Sequence, residues 1–150
     1  MIPGSKNKNS TKSVIIGIVF MVLIFIGVGV FILNLNARTK EPNEFNLTSD
    51  SLVIEGMYGE TYALSDLTGI EMLGAVPEIT YKRDGAGIGT VRKGVFTLTG
   101  YGDCNVYLFT EGKCIHIVAN EGKDVFINFE NEADTDALYD QLSEVIPEAA

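Results

Sequence analysis

The chain is 150 residues long and 46% hydrophobic, with a formal net charge of −9 and a single histidine, a length that allows one domain of ordinary size. From residue 41 onwards 20 acidic side chains stand against six basic ones, a net charge of −14. Such a balance argues against nucleic acid as a partner, because that binding depends on neutralising phosphates with cations.

Residues 1–13 form a basic tail carrying Lys6, Lys8 and Lys12. Residues 14–33 then read VIIGIVFMVLIFIGVGVFIL, with no charged or strongly polar side chain. As a helix rising about 1.5 Å per residue the stretch spans roughly 30 Å, the thickness of a bilayer hydrocarbon core, so it is expected to be a transmembrane helix. A cleaved signal peptide is the alternative. Its apolar region runs to about 15 residues and needs small residues near the cut, whereas this one is longer and Leu35 follows it.

Three lysines and the α-amino group precede the apolar stretch, while Arg38 and Lys40 follow it. By the positive-inside rule this expects a single-pass protein of the cell membrane, with a cytoplasmic N-terminus and an extracytoplasmic C-terminal domain. Gly17, Gly27 and Gly29 do not stand four apart, so no G-x-x-x-G dimer motif is formed. Residues 34–45, NLNARTKEPNEF, are polar, aperiodic and contain Pro42, and they read as a tether.

The remaining chain, residues 46–150, alternates apolar and polar residues in short runs, the pattern of antiparallel β structure. Strands are expected at 51–56, 60–65, 68–73, 78–82 and 94–100. The runs CNVYLFT (104–110), CIHIVA (114–119) and DVFINF (124–129) are joined by Glu111-Gly112 and Glu121-Gly122, which predicts a β-meander. Strands of this number in about 100 residues mean a sandwich or small barrel. Over 131–146 the period becomes helical, with Asn131 as cap, Glu132, Asp134 and Asp136 near the positive end of the dipole, and an apolar stripe of Leu138, Leu142, Val145 and Ile146.

Residues 82–94, KRDGAGIGTVRKG, frame alternating glycines with Lys82, Arg83, Arg92 and Lys93. A dinucleotide fingerprint needs G-x-G-x-x-G entering a helix, and a P-loop needs Gly-Lys-Ser/Thr. Neither is met, since the third glycine comes one position early and TVRKGVFTLTG leads into a strand. Residues 84–93 therefore read as a flexible connection between strands, and no nucleotide is expected there. The four cations read as solubilising flanks, with an anion site as the functional alternative.

No nucleophile elbow or metal-ligand spacing appears, so no catalytic residue, metal or cofactor is expected. His116, inside CIHIVA, reads as a structural or solvent-facing strand histidine. Cys104 and Cys114 are the only thiols. Were Glu111-Gly112 a two-residue turn, they would lie on opposite sheet faces about 17 Å apart, beyond the reach of a disulfide, so free thiols are expected, one of them in the core.

The runs LVIEGMYGETYALSDLTGIEML, PEITYKRDGAGIGTVRKGVFTL, GDCNVYLF and VFINFENEADTDALYDQL resemble the bacterial PH-like (pleckstrin-homology-like) domain family of small Gram-positive membrane proteins. The likeness covers most of residues 50–145. It implies a mainly β fold of two nearly orthogonal antiparallel sheets, about seven strands in all, closed at one end by a C-terminal α-helix. PH-like folds carry lipid-headgroup, peptide and protein-binding roles on one scaffold. The expected function is a membrane-anchored, noncatalytic binding or assembly module with a protein partner or a second copy. The alternative is an envelope sensor that takes an anionic lipid headgroup or wall polymer through Lys82, Arg83, Arg92 and Lys93.

Overall fold

A computed structural model describes residues 8–150 of the chain; residues 1–7 of the expected basic tail lie outside the described residues. The chain divides into two compact units that meet at Ala37 and Arg38.

Helix α1 runs Lys8–Lys40 and is long and apolar enough to cross a membrane. Its large apolar side chains from Val14 to Leu33 are 49–71% exposed, a continuous apolar surface of a size that soluble domains rarely leave in water. The helix extends past the expected apolar limits in both directions. At its far end Leu35, Ala37 and Arg38 are good helix formers, and Arg38 and Lys40 occupy the last turn, where cations suit the helix dipole. Pro42 sets the stop by disfavouring helical backbone at Glu41. The expected tether at 34–45 is thus mostly helix, and its last residues open a strand.

The second unit is mostly β, as expected. Strands β1 (Glu44–Leu47), β2 (Ser51–Glu55) and β3 (Thr61–Ala63) form a three-stranded antiparallel sheet in that order. A six-stranded sheet follows from β4 (Leu67–Leu73), β5 (Ile79–Ile88), β6 (Val91–Leu98), β7 (Gly102–Leu108), β8 (Cys114–Ala119) and β9 (Val125–Ile127). Its order is β4-β8-β9-β7-β6-β5. Helix α2 (Glu132–Ser143) comes last, and the Asn131 side chain accepts from the Ala133 amide at 3.0 Å, the expected cap.

Three expectations are corrected here. First, there is no meander over 104–129, because β9 inserts between β7 and β8, antiparallel to β8 and parallel to β7. The cause is Asn128, 1% exposed, just past β9. Its carbonyl oxygen accepts from the Phe109 and Thr110 amides, and its amide donates to the Thr110 and Lys113 carbonyls. Those bonds hold the 109–113 loop open, so it is not a two-residue turn, and β9 fills the gap. The sheet is therefore mixed rather than wholly antiparallel. Second, Cys104 and Cys114 are both free and both fully buried in one cluster with Phe96, Leu98, Val106, Leu108 and Phe126, not on opposite faces. Third, the chain at 84–93 is paired strand except for Gly89-Thr90, with Ile88 opposite Val91 and Gly85 opposite Gly94.

Edge strands β4 and β5 are joined by residues 74–78 alone. Five inter-strand gaps of about 4.8 Å would put the edges of a flat sheet roughly 24 Å apart, at the limit of what so short a link covers. The sheet curls accordingly and buries both faces. One face packs on β2, α2 and Ile146 through Ile70, Ile115, Ile117 and Ile127; the other closes over Cys104, Cys114 and Phe126. From α2, Leu138 and Leu142 join the core as expected, whereas Val145 lies past the helix and is 46% exposed.

Candidate functional site

The basic residues of 82–93 do not form one cluster. Lys82 lies opposite Phe96, and Gly87 lies opposite Arg92. Lys82 and Arg92 therefore share the walls of a shallow depression of about 420 Å³ with Thr80, Tyr81, Gly87 and Phe96. The Arg92 side chain lies across Gly87, whose missing Cβ would stand 3.2 Å from Arg92 Cδ, and its guanidinium donates to the carbonyls of Gly89 and Val91. Arg83 instead donates to Asp103 Oδ1 at 3.3 Å and stacks over the Tyr81 ring at 4.9 Å. The Thr97 hydroxyl, at 2.6 Å, and then Arg83 hold the Asp103 carboxyl below its usual range.

Lys93 goes elsewhere. One residue on from Arg92, it faces the other side of β6, where it is 1% exposed. Its ammonium donates to the Glu41 backbone carbonyl and sits 5.1 Å from the centre of the Phe109 ring. Burial lowers its pKa, with Glu41 opposing the shift.

The sign of the pH effect follows. Between the lowered folded value and the 10.5 of the unfolded chain, the unfolded state binds more protons, so this group's contribution to stability rises with pH. Cys104, Cys114 and Tyr107 act oppositely: burial pushes each up to about 12 from 9.0 or 10.0, so their contribution is intact at neutral pH and fades as pH climbs towards 12. Lys93→Met isolates the lysine. The variant is expected to have a higher urea midpoint than the parent at pH 7, with the difference shrinking as pH approaches 10.5. A difference that is constant with pH would show that the ammonium is not the cause.

His116 is structural and not solvent-facing. It is 4% exposed, its Nδ1 stands 2.7 Å from Glu71 Oε1, and its Nε2 stands 2.8 Å from Asp124 Oδ2. The ring stacks on Phe126 at 4.6 Å and meets Tyr101 edge-on at 4.8 Å. Asp124 also accepts from the Ala119 amide at 3.1 Å. With a carboxylate at each nitrogen, the imidazole clamps β4 to the β8–β9 hairpin and keeps neither nitrogen for a substrate. The buried thiols, raised to about 12, are protonated at neutral pH and poor nucleophiles.

A feature the sequence reading missed lies between the end of β7 and the start of α2. Lys40, Pro42, Phe109, Phe129, Glu130, Asn131 and Asp134 line a groove of about 360 Å³. A neighbouring hollow of about 300 Å³ shares Lys40, Phe109 and Glu130 and adds Ile88, Gly89, Thr90 and Val91. Its walls are stiff. Asn128 fixes the Phe109 backbone, the buried Thr135 hydroxyl accepts from the Phe129 amide at 3.0 Å, and Phe129 meets Phe45 edge-on at 5.4 Å. The groove combines two aromatic faces and a proline with one cation and two carboxylates. Its residues come from three separated stretches of chain, so no local motif marks them.

Compared with family models, with curated proteins and with solved structures, the chain matches none.

Proposed function

We propose that this chain is a membrane-tethered, noncatalytic binding or assembly module: a single-pass cell-membrane protein, N-terminus inside, carrying a PH-like domain outside. The observation that carries the reading is the stiff aromatic groove at Phe109 and Phe129 on a domain whose sole histidine and two thiols are committed to its interior. Preformed clefts with a few polar groups on apolar walls are the usual form of a binding site. The PH-like assignment is supported by two sheets followed by a C-terminal helix; the parallel β7–β9 pair is a departure from the all-antiparallel form. The membrane assignment is supported by the exposed apolar surface of α1.

The occupant we favour is a protein segment, because the groove offers both signs of charge beside aromatic walls. A photo-crosslinking amino acid at exposed Glu130 of the full chain, irradiated in native membranes, is expected to trap a defined protein adduct, either a partner or a second copy. The same group at Glu121 should not. Identical adducts from both positions, or none, would count against the groove.

A second reading is favoured by one observation, the shared depression of Lys82 and Arg92. There an anionic headgroup or wall polymer would be held by two cations, with Arg83 and Lys93 engaged elsewhere. Phosphate-bearing material that co-purifies with the parent but not with a Lys82→Ala/Arg92→Ala double variant would select this reading over the first.

A further inference from the structure

Among the described residues, the one non-glycine with a left-handed backbone is Tyr58, at φ 59°. It sits in the β2–β3 turn, where the Gly59 amide donates to the Gly56 carbonyl at 3.0 Å. Side-chain-bearing residues adopt this conformation uncommonly, at a cost their surroundings must offset. Here the offset comes from Tyr107, 1% exposed, whose hydroxyl donates to the Tyr58 carbonyl at 2.7 Å. The backbone is thus pinned from the core while the Tyr58 ring stays 41% exposed. A large aromatic side chain is thus presented partly to solvent by a backbone held from the core.

The turn is stapled to the first residues of the domain. The Thr39 hydroxyl donates to Met57 Sδ at 3.8 Å, and the buried Asn43 amide donates to the carbonyls of Glu55 at 2.9 Å and Met57 at 3.1 Å. Five residues separate Leu33, the end of the apolar stretch, from Thr39, so the two are six chain steps apart. Chain reach alone therefore keeps Thr39 within about 20 Å of Leu33 in any conformation. Arg38, exposed and just before it, lines a hollow with Glu41, Gly56 and Met57. An amphipathic tyrosine ring with a nearby basic side chain is the combination that settles in a headgroup layer, the ring among glycerol and carbonyl groups and the cation on a phosphate. The rest of the domain is strongly acidic, so this cation also offsets its repulsion from an anionic surface.

We propose that Met57 and Tyr58, together with Arg38, form a membrane-contact surface that seats the domain on the headgroups of the bilayer its own helix crosses. This rests on the membrane reading above, and the experiment separates the two. The chain contains no tryptophan, so Tyr58→Trp supplies a single fluorophore in the full-length protein. Reconstituted in phosphatidylcholine/phosphatidylglycerol vesicles with a headgroup nitroxide lipid, Tyr58→Trp is expected to be quenched at least about twofold more than Tyr101→Trp. Tyr101 follows the far end of β6, whereas the Val91 end lies beside Lys40. Alkaline extraction is run in parallel. Release of the chain from the vesicles overturns the membrane reading and the contact surface together; retention with equal quenching at both positions overturns the contact surface alone. Tyr58→Trp fluorescence that responds to protein density and not to the nitroxide assigns the surface to a second copy and also overturns the proposal. The unsubstituted chain gives a second readout that does not depend on the variant folding. Amide exchange across residues 55–60 is expected to slow several-fold in nanodiscs relative to detergent micelles, and unchanged exchange overturns the proposal.

Discussion

Gly94→Ala is expected to open the β5–β6 hairpin and unfold the domain. Gly94 has φ +109°, and a Cβ there would stand 2.4 Å from the Asp84 carbonyl oxygen and 2.7 Å from Gly85 Cα. The backbone conformation alone costs a side-chain-bearing residue about 1–3 kcal/mol. The clash adds to this and is relieved only by parting two strands whose contact is the longest in the sheet. Circular dichroism of the tyrosines during a urea titration measures the effect. Gly74→Ala, where a Cβ meets nothing within 4 Å, is the control and is expected to stay within about 0.5 kcal/mol of the parent. Equal midpoints for the two variants would show that the strands do not approach as described.

That close approach explains the glycine pattern that resembles a phosphate cradle. Gly85 is excluded from bearing a side chain by the Lys93 carbonyl at 2.4 Å and the Phe96 ring at 2.7 Å. Gly87 lies beneath Arg92, and Gly89 takes φ +60° at the turn. Gly85 and Gly87 are glycine because β6 or its side chains overlie them, and Gly89 because the turn needs its backbone conformation. The requirement is steric, and no ligand enters it.

Leu142→Ala is the second substitution with a large expected effect. Leu142 is 0% exposed and packs among Leu52, Ile70, Ile115 and Ile117 at the point where α2 closes the six-stranded sheet. Truncating a leucine in such a site costs about 2–5 kcal/mol, because the surrounding core collapses only in part. For a domain of this size that is a fall in Tm of roughly 10 °C or more. Val145→Ala, at a position 46% exposed, should leave Tm almost unchanged, although the helical spacing assigns both residues to one stripe. A thermal melt in which both variants behave alike would mean that α2 is not docked through Leu142.

What separates Val145 from Leu142 is where the helix ends. The Val145 and Ile146 amides both donate to the Leu142 carbonyl, and the chain then runs extended, with Ile70 donating to the Pro147 carbonyl and accepting from the Ala149 amide. This pairing covers the outer edge of β4 and turns Val145 away from the core. The opposite edge, β5, has no such cover among the described residues; its two bulges and its exposed Lys82 and Arg83 guard it against pairing with another chain.

Local pattern was sufficient for much of this protein. Twenty uninterrupted apolar residues specify a helix long and apolar enough to cross a membrane. Alternation marks the strands from β2 to β9 except the second half of β5 and the start of β6, where glycines obscure it, and Asn131 with its acidic followers marks the start of α2, because each of these depends on neighbours a few residues away. Strand partnership is different in kind. The 109–113 segment looks like a hairpin turn until Asn128, 15 or more residues later, ties its backbone open and lets β9 in. His116 looks like one of a half-exposed row until Glu71, 45 residues away, and Asp124 bracket it. Lys82, Arg83, Arg92 and Lys93 look like one patch until pleating and the bulge between Lys82 and Asp84 send Arg83 to Asp103 and Lys93 into the interior. A strand's periodicity says that its two faces differ; which face is inside, and what meets it there, is decided by contacts whose sequence separation no local pattern encodes.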